Sequence, residues 1–286
     1  MAYSIDRLRA DLILAGRARA TAQAYCDNVQ RFERWAGRPV TELGEQEVRD
    51  YLLHLREVRK LAPRTYIVYH SALCFLYRHT LCRPDVVARL ATPKVPKVQI
   101  IVPTVSEVRA VIACASTPFV RTMLEAAYGC GLRASEVCAL QVGDIDSVHQ
   151  LVHVRHGKGD KQRVVMLGDR LLQTLRDHWR LYRLKGPWLF PQYARRTGSW
   201  TDVPVDAKWI SHHFRTACAR AFIHRKITLH GLRHGFATHL LEAGVDTAVL
   251  RVLMGHENIA TTAQYARVPT DVLRKTPSPL DLLYKS

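Results

Sequence analysis

The stretch from His230 to Tyr265, HGLRHGFATHLLEAGVDTAVLRVLMGHENIATTAQY, gathers residue types that suit one kind of chemistry. His230 and Arg233 stand three apart, about one helical turn, so both side chains leave the same face of a helix. His256 follows Gly255, and Tyr265 lies nine residues further on. A guanidinium, two imidazoles and a phenol are what a tyrosine needs around it to attack a phosphodiester. The attacked phosphorus gains negative charge on its nonbridging oxygens, which guanidiniums bind in a forked geometry while staying charged at any working pH. A phenol has an ordinary pKa of about 10, so it needs a proton acceptor and nearby positive charge. His230 suits the first need, and His256 can donate a hydrogen bond to the phosphate.

Two cations upstream are candidates for the same site. Arg133, in GCGLRASE, stands three residues before Glu136 at a helix start, and taken alone it reads equally well as half of a structural ion pair. Lys158 occupies a Gly-Lys-Gly-Asp turn, where a lysine can reach into a groove or simply be solvated, and Lys161 and Arg163 extend the positive charge. The departing 5′ oxygen is a poor leaving group and wants a general acid, which Lys158 at a hairpin tip can be. The scheme calls for no metal and no other cofactor, because cationic side chains stand where Mg²⁺ would and no carboxylate cluster accompanies them. His230 and His234, four apart, lack the further ligands that zinc would need, so His234 and His239 read as structural.

Composition agrees with a nucleic-acid partner. The 286 residues carry 42 Lys plus Arg against 25 Asp plus Glu, a net charge of +17, and both halves share the excess. The seven cysteines are an odd number with no C-x-x-C pair, which points to a reducing, cytoplasmic setting and buried thiols. The N-terminal segment has acidic residues within its apolar pattern and no cleavage-site signature, and no run approaches the roughly 20 apolar residues of a membrane span.

The elements that must position these groups fall into two domains. Residues 1–83 predict a four-helix bundle: Ile5, Leu8 and Leu12 recur at helical spacing, as do Tyr25, Val29, Phe32 and Trp35 before Gly37, and Pro63 can open the fourth helix. Arg17, Arg19, Arg31, Arg34, Arg59, Lys60 and Arg64, near helix ends and polar faces, could meet phosphates or be merely solvated. Residues 84–103, with four prolines, read as an extended linker, and 104–286 as the second domain. There Thr104 and Glu107 form a capping-box pattern. Residues 144–167 change to an alternating period, a small antiparallel sheet whose hairpin turns at Lys158. Residues 192–205 read as an irregular surface loop, and 206–222 as a helix with Trp209, Ile210, Phe214 and Ala217 inward. Helices follow at 230–243, 246–254 and 259–266. Leu132, Leu140, Phe236, Leu240, Leu241 and Leu253 belong to the core, with Ala127 and Leu250. The fold class is mainly α, with an α+β second domain.

The motifs GLRASE, GKGDKQR, HGLRHGFATHLLEAG and LMGHENIATTAQY stand in an order and spacing that resemble the tyrosine recombinase (phage integrase) family, and Xer-like members in particular. The resemblance is dense in the second domain and looser in the first. It implies a SAM-like helical core-binding domain and a catalytic domain forming a C-shaped clamp on double-stranded DNA, with no separate arm-binding domain before residue 1. It identifies Arg133, Lys158, His230, Arg233 and His256 as the catalytic set, and Tyr265 as the nucleophile that forms an O-(3′-phospho-DNA)-tyrosine intermediate. It further implies a homotetramer on paired sites, in which the apolar tail (Leu280, Leu282, Leu283, Tyr284) packs against a neighbouring protomer or else folds back on its own domain. The function expected is site-specific recombination, as in the integration or transposition of a mobile element. A type IB topoisomerase would use the same chemistry, and a DNA-binding regulator could keep the fold without it.

Overall fold

The structure, a computed structural model, describes residues 5–94, 96, 101–155, 162–255 and 270–284. The chain divides into two compact units, Met1–Gln99 and Ile100–Ser286, each with its own apolar core.

The first unit is helical: α1 (Ile5–Leu14), α2 (Arg19–Ala36), α3 (Glu45–Glu57) and α4 (Pro63–Phe75), the last continuing through a π-helical turn to Thr80. Pro63 opens α4 at a position where a backbone N–H would have no helical partner. Gly37, at φ +68°, closes α2 by donating its N–H to the Glu33 carbonyl. Ala22, Cys26, Val29 and Phe32 form one stripe of α2, which packs on the other three helices. Trp35 leaves that stripe: it is 40% exposed and lies on Tyr51, with ring centroids 5.1 Å apart. Pro84 does not begin an extended run, because Pro84–Val87 is a turn of 3₁₀ helix that buries Val86 and Val87 in the first core.

The second unit runs α5 (Val105–Ala113), α6 (Pro118–Gly129), α7 (Ala134–Cys138), β1 (Ile145–Asp146), β2 (Leu151–Val154), β3 (Arg163–Met166), α8 (Asp169–Tyr182), β4 (Pro191–Ala194), β5 (Ser199–Pro204), α9 (Ala207–Arg220), α10 (Leu229–Glu242), α11 (Thr247–Met254), α12 (Thr270–Lys275) and α13 (Pro279–Leu283). Thr104 and Glu107 do form the capping box of α5: the threonine hydroxyl accepts the Glu107 N–H at 3.2 Å, and the Glu107 carboxylate accepts the Thr104 N–H at 2.8 Å. The core is built around α6, buried at every position from Phe119 to Gly129 except Arg121, with α5, α8, α9, α10 and α13 packed against it. Strands β1, β2 and β3 make an antiparallel sheet in that order, with Leu151 opposite Met166 and Val154 opposite Arg163.

Two sequence expectations are corrected in this unit. The supposed loop at 192–205 is mostly the β4–β5 hairpin, in which Tyr193 opposes Trp200 and Trp200 stacks on Phe119 at 5.3 Å between centroids. Aromatic packing supplies the order that the polar composition hid. Trp209 and Leu241 face partly outward, at 37% and 44% exposure. The tail packs on its own unit: Leu280 and Leu283 are fully buried, and α13 lies against α6 and α8. Gly129 makes room, since a Cβ there would stand 3.2 Å from Leu280 Cβ. Among the described residues no helix is long and apolar enough to cross a membrane.

Candidate active site

The site begins at a glycine. Gly131 has φ +57°, and a Cβ on it would lie 2.6 Å from the Phe236 ring, so only glycine lets α10 approach this turn. Two residues on, Arg133 sits in extended backbone at the N-terminus of α7. Glu136 reaches back to it twice: one carboxylate oxygen accepts the Arg133 N–H at 2.8 Å, and the other accepts from the Arg133 guanidinium at 2.6 Å.

Helix α10 brings the second arginine. The Thr228 hydroxyl caps the helix by accepting the Gly231 N–H at 3.2 Å. Arg233, one turn into the helix, is 1% exposed. Its guanidinium donates to the carbonyls of Gly131 and Met254 and stands 3.9 Å from the Glu136 carboxylate. One buried cation therefore ties the GLRASE turn to the end of α11. Burial first, then the neighbouring charges of Arg133 and Arg163, bring its pKa down to about 10, so it stays cationic at neutral pH.

His230 is exposed on α10, one turn before Arg233, with its ring edge-on to His234 at 4.7 Å between centroids. Burial and the Arg233 charge lower the His234 pKa. His239 is buried with its Nδ1 2.8 Å from the Tyr128 hydroxyl, which is a structural contact. Helix α11 ends at Gly255, φ +55°. Lys158, His256 and Tyr265 lie outside the described residues.

The sequence reading missed Arg163. Counted with the hairpin's surface charge, it is in fact a buried partner of Glu136, with both Nη atoms 2.8 Å from the two carboxylate oxygens and a side chain 7% exposed. Its Nε donates to the Leu253 carbonyl at 2.9 Å. The available signal was strand period: Arg163 stands two residues from Val165, which is fully buried, and so shares its face of β3. Burial alone would raise the Glu136 pKa. The hydrogen bonds from Arg163, the Arg133 N–H and the Arg133 guanidinium more than offset this and hold it at about 2. Three guanidiniums thus surround one carboxylate, an arrangement with surplus positive charge for an anion.

Residues 104–271 match the phage integrase family, and residues 5–84 match the phage integrase N-terminal SAM-like domain. The y4qK protein of Sinorhizobium fredii, whose name places it among integrases/recombinases, is 36% identical over 97% of this chain and 88% of its own. The tyrosine recombinase XerA of Thermococcus kodakarensis is 30% identical over 98% of this chain and 96% of its own. A lambda integrase tetramer bound to a Holliday junction shares the fold, with a TM-score of 0.70 at 19% identity over 89% of this chain and 76% of that one. The motifs, the arginine cluster they build and these matches place the chain in the phage integrase family, as a tyrosine-type site-specific recombinase.

Proposed function

We propose that this protein cuts and rejoins double-stranded DNA at its own site through a 3′-phosphotyrosyl intermediate, as the recombinase of a mobile element. The observation that carries the reading is the convergence of Arg133 and Arg233, a hundred residues apart in sequence, on the single carboxylate of Glu136 with His230 one turn away. In the cleavage step the Tyr265 phenolic oxygen bonds to phosphorus while the bond from phosphorus to the 5′ oxygen breaks. The phenolic proton passes to His230, and the 5′ oxygen takes a proton from Lys158. Arg133 and Arg233 stabilise the charge that builds on the nonbridging oxygens, to one of which His256 donates. One ester replaces another, so a 5′ hydroxyl from a second strand reverses the step without ATP.

The first unit holds the duplex. Arg31, Arg34 and Arg59 line a cavity of about 540 Å³ together with His54, Tyr51 and Tyr69, and none of its described lining residues is acidic. Such a surface suits phosphate oxygens. The lambda integrase structure is a tetramer on a Holliday junction. A homotetramer on paired sites is the assembly proposed here.

Incubation with a nicked suicide DNA substrate carrying the element's end sequence tests the reading. A covalent protein–DNA adduct is expected from the wild type and none from Tyr265→Phe. Absence of the adduct with the wild type on its genuine site refutes the proposal. Relaxation of a plasmid lacking that site would instead favour topoisomerase chemistry.

A further inference from the structure

We propose that Arg163 is a positioning residue for strand cleavage: by occupying the Glu136 carboxylate it keeps the Arg133 guanidinium available to the scissile phosphate, and it fixes the end of α11 that leads into His256. This rests on the function proposed above.

The lone pairs of Glu136 set the arrangement. A carboxylate has about four acceptor sites. Here one oxygen takes Nη1 of Arg133 and Nη1 of Arg163, and the other takes the Arg133 N–H and Nη2 of Arg163. The carboxylate is filled. Arg163 spends its Nε on the Leu253 carbonyl, so each of its three nitrogens is committed to protein. Its Cδ also packs at the α11 terminus, where a Cβ on Gly255 would stand 3.0 Å away. Arg163 therefore joins β3, α7 and α11, with three of its five N–H donors committed to protein.

Arg133 is built the other way. One Nη is bonded to Glu136 among the described contacts, and the side chain is 27% exposed. Without Arg163, two acceptor sites on a buried carboxylate would be open, and an unpaired buried acceptor is costly. Arg233 is anchored by two carbonyls, which leaves Arg133 as the guanidinium able to turn. It would fork onto Glu136 and withdraw from the phosphate. A lysine at 163 cannot prevent this, because an ammonium does not span both oxygens and a carbonyl in a fixed plane.

Single-turnover cleavage of the suicide substrate at saturating protein reads the effect, with DNA affinity measured separately in the Tyr265→Phe background. Arg163→Met is expected to slow adduct formation about 100-fold, the scale of losing an oriented transition-state donor, with Kd within about threefold of wild type. Arg163→Lys is expected to behave similarly, and it supplies the measurement if the Met variant does not fold. Arg163→Met/Glu136→Gln should recover about tenfold over Arg163→Met, since a neutral amide no longer captures Arg133. A residue that only stabilises the fold would lose Kd and melting temperature together and show no recovery in the double variant. That pattern, or a foldable single variant cleaving at the wild-type rate, overturns the proposal. Failure of the wild type to form an adduct is a separate result and counts against the function proposed above.

Discussion

In the first unit Arg31, Arg34 and Arg59 line a cavity whose described lining has no acid, whereas in the second unit Arg133, Arg163 and Arg233 crowd round the carboxylate of Glu136. The first cluster is supported from its edges: Arg31 donates to Asn28 and to the Tyr69 hydroxyl, each at 2.9 Å. The second is supported from its centre. Arginines facing water interact weakly with one another through a high dielectric and need no counter-charge. Arginines taken out of water need one, and its geometry then sets where each guanidinium points. On the function proposed, the contrast is a division of labour: the first cluster would set affinity for the DNA backbone and the second the rate of bond breaking.

The largest effect that would break this contrast is expected at Arg133. Arg133→Ala should lower single-turnover adduct formation about 1,000-fold, the usual scale for removing a transition-state charge donor, and leave Kd within about threefold. A loss residing in Kd instead would put Arg133 on the affinity side and dissolve the distinction. Next comes Glu136→Gln, read by urea unfolding at several pH values. The Glu136 pKa is depressed from 4.5 to about 2, so its contribution is present above the unfolded value and is lost as pH falls through the folded one. Wild type should lose on the order of 3 kcal/mol of stability between about pH 5 and pH 2 that the variant, already weaker at pH 7, does not lose. Parallel pH curves would mean that Glu136 is not the charged centre of the cluster.

For the first unit, Arg31→Ala/Arg34→Ala/Arg59→Ala should weaken DNA binding about 10- to 100-fold and flatten the dependence of log Kd on log salt by about two to three, as counterion release at the lost contacts predicts. The cleavage rate at saturation should stay within about threefold of wild type. A slope unchanged by the triple substitution would remove the cavity from the DNA-binding surface.

What the sequence made legible follows the same division. Spacing placed Arg133 beside Glu136 and His230 one turn before Arg233, because an i,i+3 relation on a helix is local. The stripe of α2 and its stop at Gly37 were readable for the same reason. The role of Arg163 was not, since its partners lie 27 and 90 residues away and nothing local marks a buried arginine except its shared face with Val165. The β4–β5 hairpin was hidden by polar composition, its order coming from Trp200 on Phe119, a contact between distant segments. The tail's own-unit contacts were not readable, because an apolar segment shows that it must be covered, and only the open space at Gly129 shows what it meets in this chain.

The smallest effect concerns an acid that the arginine clusters do not reach. Glu125 on α6 is 3% exposed, and its Oε2 has no hydrogen-bond partner among the described residues. Burial raises its pKa, and the Thr174 hydroxyl and the charges of Arg170 and Arg121 offset that only in part. The sign is opposite to that of Glu136: a raised folded value gives stability that is present below the unfolded value and lost as pH rises through the folded one. Glu125→Gln keeps the shape and removes the charge. At pH 8 it should raise Tm by a few degrees, corresponding to about 1 kcal/mol, and near pH 4 the gain should vanish because the wild-type carboxyl is then protonated. Cleavage should be unaffected at either pH. Equal melting temperatures at pH 8 would mean that Glu125 finds a cationic partner as good as the one Arg163 provides, and that an unsupported acid is not what separates this buried carboxylate from Glu136.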